Sequence, residues 1–138
     1  MSRPTRNTRV RAKFSFEVPI YACHVWVVVC DTFKGAIKAL PPRIRNGIDI
    51  EDDGDCRGCC LSNHPNYVIT LKDVSQGTLY HEIGHAARDI MDAIGFEITR
   101  GSDGHMNDEP LAYLEGALAE LVAVGLARNK IKIKTKSR

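Results

Sequence analysis

The chain has 138 residues, of which 43% are hydrophobic and 26% charged, the make-up of one soluble globular domain and not of a disordered chain. The longest apolar run, Val25 to Cys30, has six residues, against the roughly 18 needed to cross a bilayer. Neither a membrane anchor nor a secretory leader is therefore expected. The net charge of +2 hides an uneven layout: five basic and no acidic residues in the first 13 positions, and six basic residues in the last 11. The intervening body carries −9. Such ends either stay solvated, fold back on the acidic body, or contact nucleic acid.

Residues 1–13 are expected to form a flexible basic arm, 14–128 a single domain and 129–138 a basic tail. Residues 14–30 are rich in Phe, Val, Ile, Tyr and Trp and read as strands, with Pro19 marking a break or a sheet edge. The run Val25–Val29 suits a strand covered on both faces. Residues 32–40 suit a short helix stopped by Pro41-Pro42. Residues 43–66, with Gly, Asp, Asn, Pro and Cys and little periodicity, read as a long loop. Tyr67–Leu71 reads as a strand by β-branched content.

A helix follows, with Leu79, Ile83, Ala86, Ile90 and Ile94 on one stripe and Gly95 as its stop. Residues 96–108 read as loop. A last helix is expected over 110–128, with Pro110 in its first turn and Leu111, Leu114, Leu118, Leu121 and Leu126 as its apolar side.

His81-Glu82-Ile83-Gly84-His85 is an HExxH sequence in the middle of the first long helix. Positions i and i+4 share a face one turn apart, so two neutral imidazoles can point at one Zn²⁺. Glu82 points about 100° away from His81, poorly placed as a ligand but well placed to take a proton from a metal-activated water. With five His and seven Glu in the chain, chance alone produces one such match about 1% of the time, so its helical setting decides its weight. Gly84 inside the motif suggests close approach by a second element.

A catalytic zinc needs a third protein ligand and an open position. Glu109, Glu115 and His105 are the candidates. Asp89, one turn beyond His85, could orient an imidazole or remain solvated beside Arg88. Tyr113, one turn after Glu109, could donate to an oxyanion or be an ordinary packed tyrosine.

A strand, an HExxH helix, a short loop and a second helix offering a Glu resembles the zincin metallopeptidases; a Glu as third ligand marks the gluzincin branch. The stretch TLYHEIGHAARDI followed by NDEPLAYLEGALAELV is also similar to small metallopeptidase-like proteins of bacteriophages, which pair HExxH with a D/E-E-x-x-A-Y helix. The resemblance covers about residues 67–126. It implies an α+β domain of minimal zincin type, zinc held by His81, His85 and Glu109, Glu82 as general base, and hydrolysis of a peptide or protein substrate. It also implies that the strand before the motif, residues 67–72, holds substrate by strand addition. Pro110 puts Glu109 at the helix cap, where its carboxylate could serve the helix instead. The alternative function is a zinc-binding phage protein acting by contact with a host factor or nucleic acid.

The five cysteines, odd in number, suggest reduced thiols and a cytoplasmic setting. Cys56, Cys59, Cys60 and His64 could form a second, structural zinc site, although CxxC occurs once only. Asp49–Gly54 brushes the start of a calcium loop but lacks its closing Glu, and reads as an exposed acidic loop.

Overall fold

The computed structural model describes residues 9–46, 48, 56–97, 99–104 and 106–135. The expected acidic loop and His105 lie outside these residues. The architecture is α+β: a four-stranded mixed sheet with helices on both faces.

Strand β1 (Val10–Val18) turns through one 3-10 turn at Pro19–Tyr21 into β2 (Cys23–Cys30), and the two pair antiparallel. The strand begins inside the segment expected to be a free arm: Ala12 is buried in the core, which draws the chain into the sheet from Val10 onward. Pro19 falls where the run breaks, as its missing N–H requires.

Helix α1 (Phe33–Lys38) follows, with the Thr32 hydroxyl accepting from Gly35 N at 3.0 Å. Helix α2 (Pro42–Arg45) is a single turn. Strand β3 (Gly58–Asn63) then forms an antiparallel hairpin with β4 (Asn66–Leu71). The expectation of a loop through residue 66 therefore fails. β3 lacks the β-branched alternation that announces a strand; Gly58-Cys59-Cys60-Leu61-Ser62-Asn63 is extended because β4 supplies the hydrogen bonds.

The strand order is β1-β2-β4-β3, with β2 and β4 parallel. β2 is interior and covered on both faces, as its apolar run implies. Val25, Val27 and Val29 face the long helices, while Val28 and Cys30 face α1 and α2. Fully burying such a side chain contributes about 1.5–3 kcal/mol, so this strand anchors both halves of the core.

Helix α3 (Gln76–Ala93) carries the HExxH sequence. Its N-cap is Ser75, fully buried, whose hydroxyl accepts from Thr78 N at 3.3 Å. Leu79, Ile83, Ala86, Ala87 and Ile90 lie in the core. The helix ends at Gly95, whose φ of +80° suits glycine. There Phe96 N donates to Met91 O at 2.9 Å and Gly95 N to Asp92 O at 3.0 Å, closing the last carbonyls.

Helix α4 (Glu109–Arg128) packs beside α3 with Leu111, Leu114, Leu118, Val122 and Leu126 inward. Leu121, expected on that apolar side, is exposed instead. Gly125 marks a close approach: a Cβ there would lie 2.1 Å from Phe14 Cε2, so the β1 phenyl ring rests on the helix backbone. Among the described residues α4 is the one helix long and apolar enough to cross a membrane by length and composition, with mean hydropathy 1.4. Glu115 and Glu120 interrupt its apolar runs, which is why no single run in the sequence reveals it. Residues 130–134, part of the expected basic tail, fold back along the link between β4 and α3.

Candidate metal centre

The motif helix places both imidazoles on one side. His81 Nε2 and His85 Nε2 stand 3.1 Å apart, with the rings edge to face at 81°. Two nitrogens at that distance share a proton or flank a cation. Around tetrahedral Zn²⁺, with Zn–N of about 2.0–2.1 Å, two nitrogen ligands sit roughly 3.3–3.4 Å apart. The pair therefore matches a zinc half-site, and both rings are exposed enough for an ion to enter.

Glu82 behaves differently. It turns toward the sheet and is only 5% exposed. Burial raises its pKa, while the neighbouring His81 and His85 pull the other way. It lies against Gly58 of β3, where a Cβ would come within 2.9 Å of Glu82 Cγ and of Thr78 Cγ2. Only glycine lets the strand backbone pass this close to the motif helix. Gly84 does not have that role: a Cβ there would meet nothing within 4 Å.

Strand β3 is thus the far wall of the site. Gly58, Cys59, Cys60, His81, Glu82, His85 and Asp89 line one cleft of about 260 Å³. A neighbouring cleft of about 410 Å³ joins Cys56, Arg57 and Ser75 to His81 and Glu82. Sequence reasoning treated the cysteines as a separate cluster because no local signal reports which helix a strand will lie against. Burial, and then the charges of Asp89 and Glu82, push the Cys60 thiol up; burial, Glu82 and Cys56 do the same for Cys59. Both thiols are held neutral, which makes them poor nucleophiles. The four residues considered for a structural zinc are not gathered: His64 is at the far end of the hairpin, its Nδ1 2.7 Å from Tyr67 Oη. Burial pushes the Tyr67 phenol up to about 12.

Asp89 does not orient an imidazole. It accepts a hydrogen bond from Ser62 Oγ and so ties β3 to α3. Strand β4 is not a free edge either. It is paired with β2 on one side and β3 on the other, so residues 67–72 have no row of backbone groups left for a substrate. Of the sheet's two edges, β1 and β3, it is β3 that lines a cleft with His81 and His85. Lys72 N donates to Arg57 O at 2.8 Å, and with Gly58 opposite Leu71 this fixes the alternation. The backbone groups of Gly58, Cys60 and Ser62 point out of the sheet.

Glu109 is exposed in the first turn of α4. The cap position belongs to Asp108, which makes no side-chain cap bond. Glu115 lines a groove with Tyr80, Ile83, Gly84, Ala112, Gly116 and Ala119, closer to the motif along the helix pair. Tyr113 is 76% exposed and lines none of these clefts. Tyr80, which the sequence reading passed over, lines a cleft with His81, Gly84, His85 and Arg88. Among the described residues no group of three or more His, Cys, Asp or Glu side chains is poised to hold a metal ion. No protein-family model, no curated protein and no solved structure matches the chain.

Proposed function

We propose that the chain is a zincin-like, zinc-dependent peptide hydrolase. The observation that supports this best is the convergence of His81 Nε2 and His85 Nε2 at 3.1 Å beside a buried Glu82. His81 and His85 hold the metal, and Glu109 or Glu115 from α4 completes its protein ligands. Zinc, when bound, supplies Lewis-acid polarisation of a peptide carbonyl and of water.

The chain's own residues do the rest. Glu82 takes the proton of the attacking water on its carboxylate and returns it to the leaving amine. Its raised pKa brings it nearer to neutral pH, where a base that must later act as an acid is most effective. The outward backbone groups of β3 pair with an extended peptide and lay it beside the histidines. Tyr80, nearer than Tyr113, is the phenol placed to donate to the substrate oxyanion. Five free thiols suit a reducing, cytoplasmic compartment.

A second reading, a zinc-binding protein that acts by contact, draws on the unassembled third ligand. Elemental analysis with a cleavage assay on denatured protein separates the two. The hydrolase reading expects one zinc per chain, lost in His81→Ala and weakened in Glu109→Gln or Glu115→Gln. It expects Glu82→Gln to keep zinc and lose cleavage by about 10²–10⁴-fold. Zinc bound without cleavage supports the contact reading. Failure of the wild-type protein to bind zinc overturns both.

A further inference from the structure

The two basic segments are at opposite ends of the sequence, yet they meet on one short link, Lys72–Ser75, between β4 and α3. From the first segment, Arg11 Nη2 donates to Lys72 O at 2.5 Å. From the last, Lys134 N donates to Val74 O at 2.9 Å and Gln76 N donates to Lys134 O at 2.8 Å. Lys134 Nζ also lies 3.6 Å from Asp73 Oδ1.

Alternation explains how the last segment is held. Ile131 and Ile133 pack on the core, and Lys130, Lys132 and Lys134 are exposed. An extended chain repeats a face every ~6.6 Å, so Lys132 and Lys134 share a face, while Lys130 stands just before them in the turn that ends α4, at φ +57°. Arg9 and Arg11 are exposed nearby at the start of β1. Lys72 Nζ sits 4.3 Å from the Phe33 ring centroid. Against these six cations stand Asp31, 3.8 Å from Arg11 Nε, and Asp73.

We infer that this end of the molecule is a nucleic-acid interface that grips the phosphate backbone of a duplex without reading bases. Ile131 and Ile133 turn inward against the core, so these lysines carry little of the apolar area that strengthens attachment to a lipid surface. The ring among these cations, Phe33 under Lys72, is buried in the core, so it offers no face for stacking on single strands. Clustered Lys and Arg on one surface fit phosphate and release its counterions. This inference does not depend on the hydrolase reading.

The test is fluorescence anisotropy of the full chain with a labelled DNA duplex of about 20 base pairs across about 50–200 mM salt. About four phosphate contacts weaken binding by about 10²-fold over that range. Arg9→Glu and Lys132→Glu, one from each segment, each weaken binding several-fold and reduce the salt slope by about one. Arg100→Glu, an equal charge change in the connection beyond the other end of α3, leaves affinity and slope unaltered. The inference is overturned by absence of duplex binding at the lowest salt, by an equal loss in Arg100→Glu, or by tighter binding to phosphatidylserine vesicles or polyglutamate than to the duplex.

Discussion

The sheet has two edges, and they are built for different ends. β1 has nine residues, carries Arg11, Lys13 and Glu17, and is braced by the Phe14 ring on Gly125 of α4. Charge and bracing are how natural sheets keep an edge from pairing with another chain. β3 has six residues, none of them charged, and its outward backbone groups run beside His81, Glu82 and His85. Its ties to the motif helix include a glycine contact, the Ser62–Asp89 hydrogen bond and the packing of Cys60 on the core. One edge is guarded against pairing with another strand; the other is left open beside His81 and His85.

The sharpest way to break this contrast is at Gly58. A methyl group there must displace Glu82 or push β3 off the helix. A 1 Å misplacement costs on the order of 10²-fold in rate, so Gly58→Ala should lower kcat by about that factor, with a loss of stability of about 1–3 kcal/mol. Unaltered cleavage in a well-folded Gly58→Ala protein would show that the strand does not position the carboxylate.

The guarded edge answers to Gly125. Adding a Cβ against the Phe14 ring overpacks the β1–α4 contact, and Gly125→Ala should destabilise the fold by about 1–3 kcal/mol in urea unfolding. A stabilised variant would mean that helix propensity outweighs the contact, and that β1 is less braced than described. Ser62→Pro probes the open edge more gently. It removes an outward N–H and spares the ladder to β4, so KM for an extended peptide should rise about tenfold with kcat less affected. The loss of the Asp89 bond is controlled by Ser62→Ala, which keeps the N–H and should retain the wild-type KM.

The smallest expected effect is a pH dependence of stability. Burial raises the Glu82 pKa above the usual carboxylate range, so the folded state holds that proton more tightly than the unfolded chain. In metal-free protein this contribution to stability is full below the unfolded pKa and is lost as pH rises through the folded one. Glu82→Gln should flatten that part of the curve in denaturant titrations. A wild-type curve that instead rises across this window would assign the opposite sign to the carboxylate's environment.

Much of this was legible in the chain itself. Helix α3, its stop at Gly95 and the facing imidazoles follow from 3.6-residue periodicity and the i, i+4 spacing, which are local properties. β2 announced itself because a strand covered on both faces must be apolar throughout. β3 did not, because its extended form is imposed by β4 and its residues carry no period of their own.

The sequence by itself determined an α+β domain with two histidines on one turn of a helix and a carboxylate between them. Tertiary structure alone decided that the cysteine strand walls the site, that β3 and not β4 is the open edge, and that two distant basic segments share one surface. The reason is range. Helical facing is fixed by neighbours three and four residues away, whereas strand order and the meeting of chain ends depend on hydrogen bonds and burial between segments that no local pattern encodes.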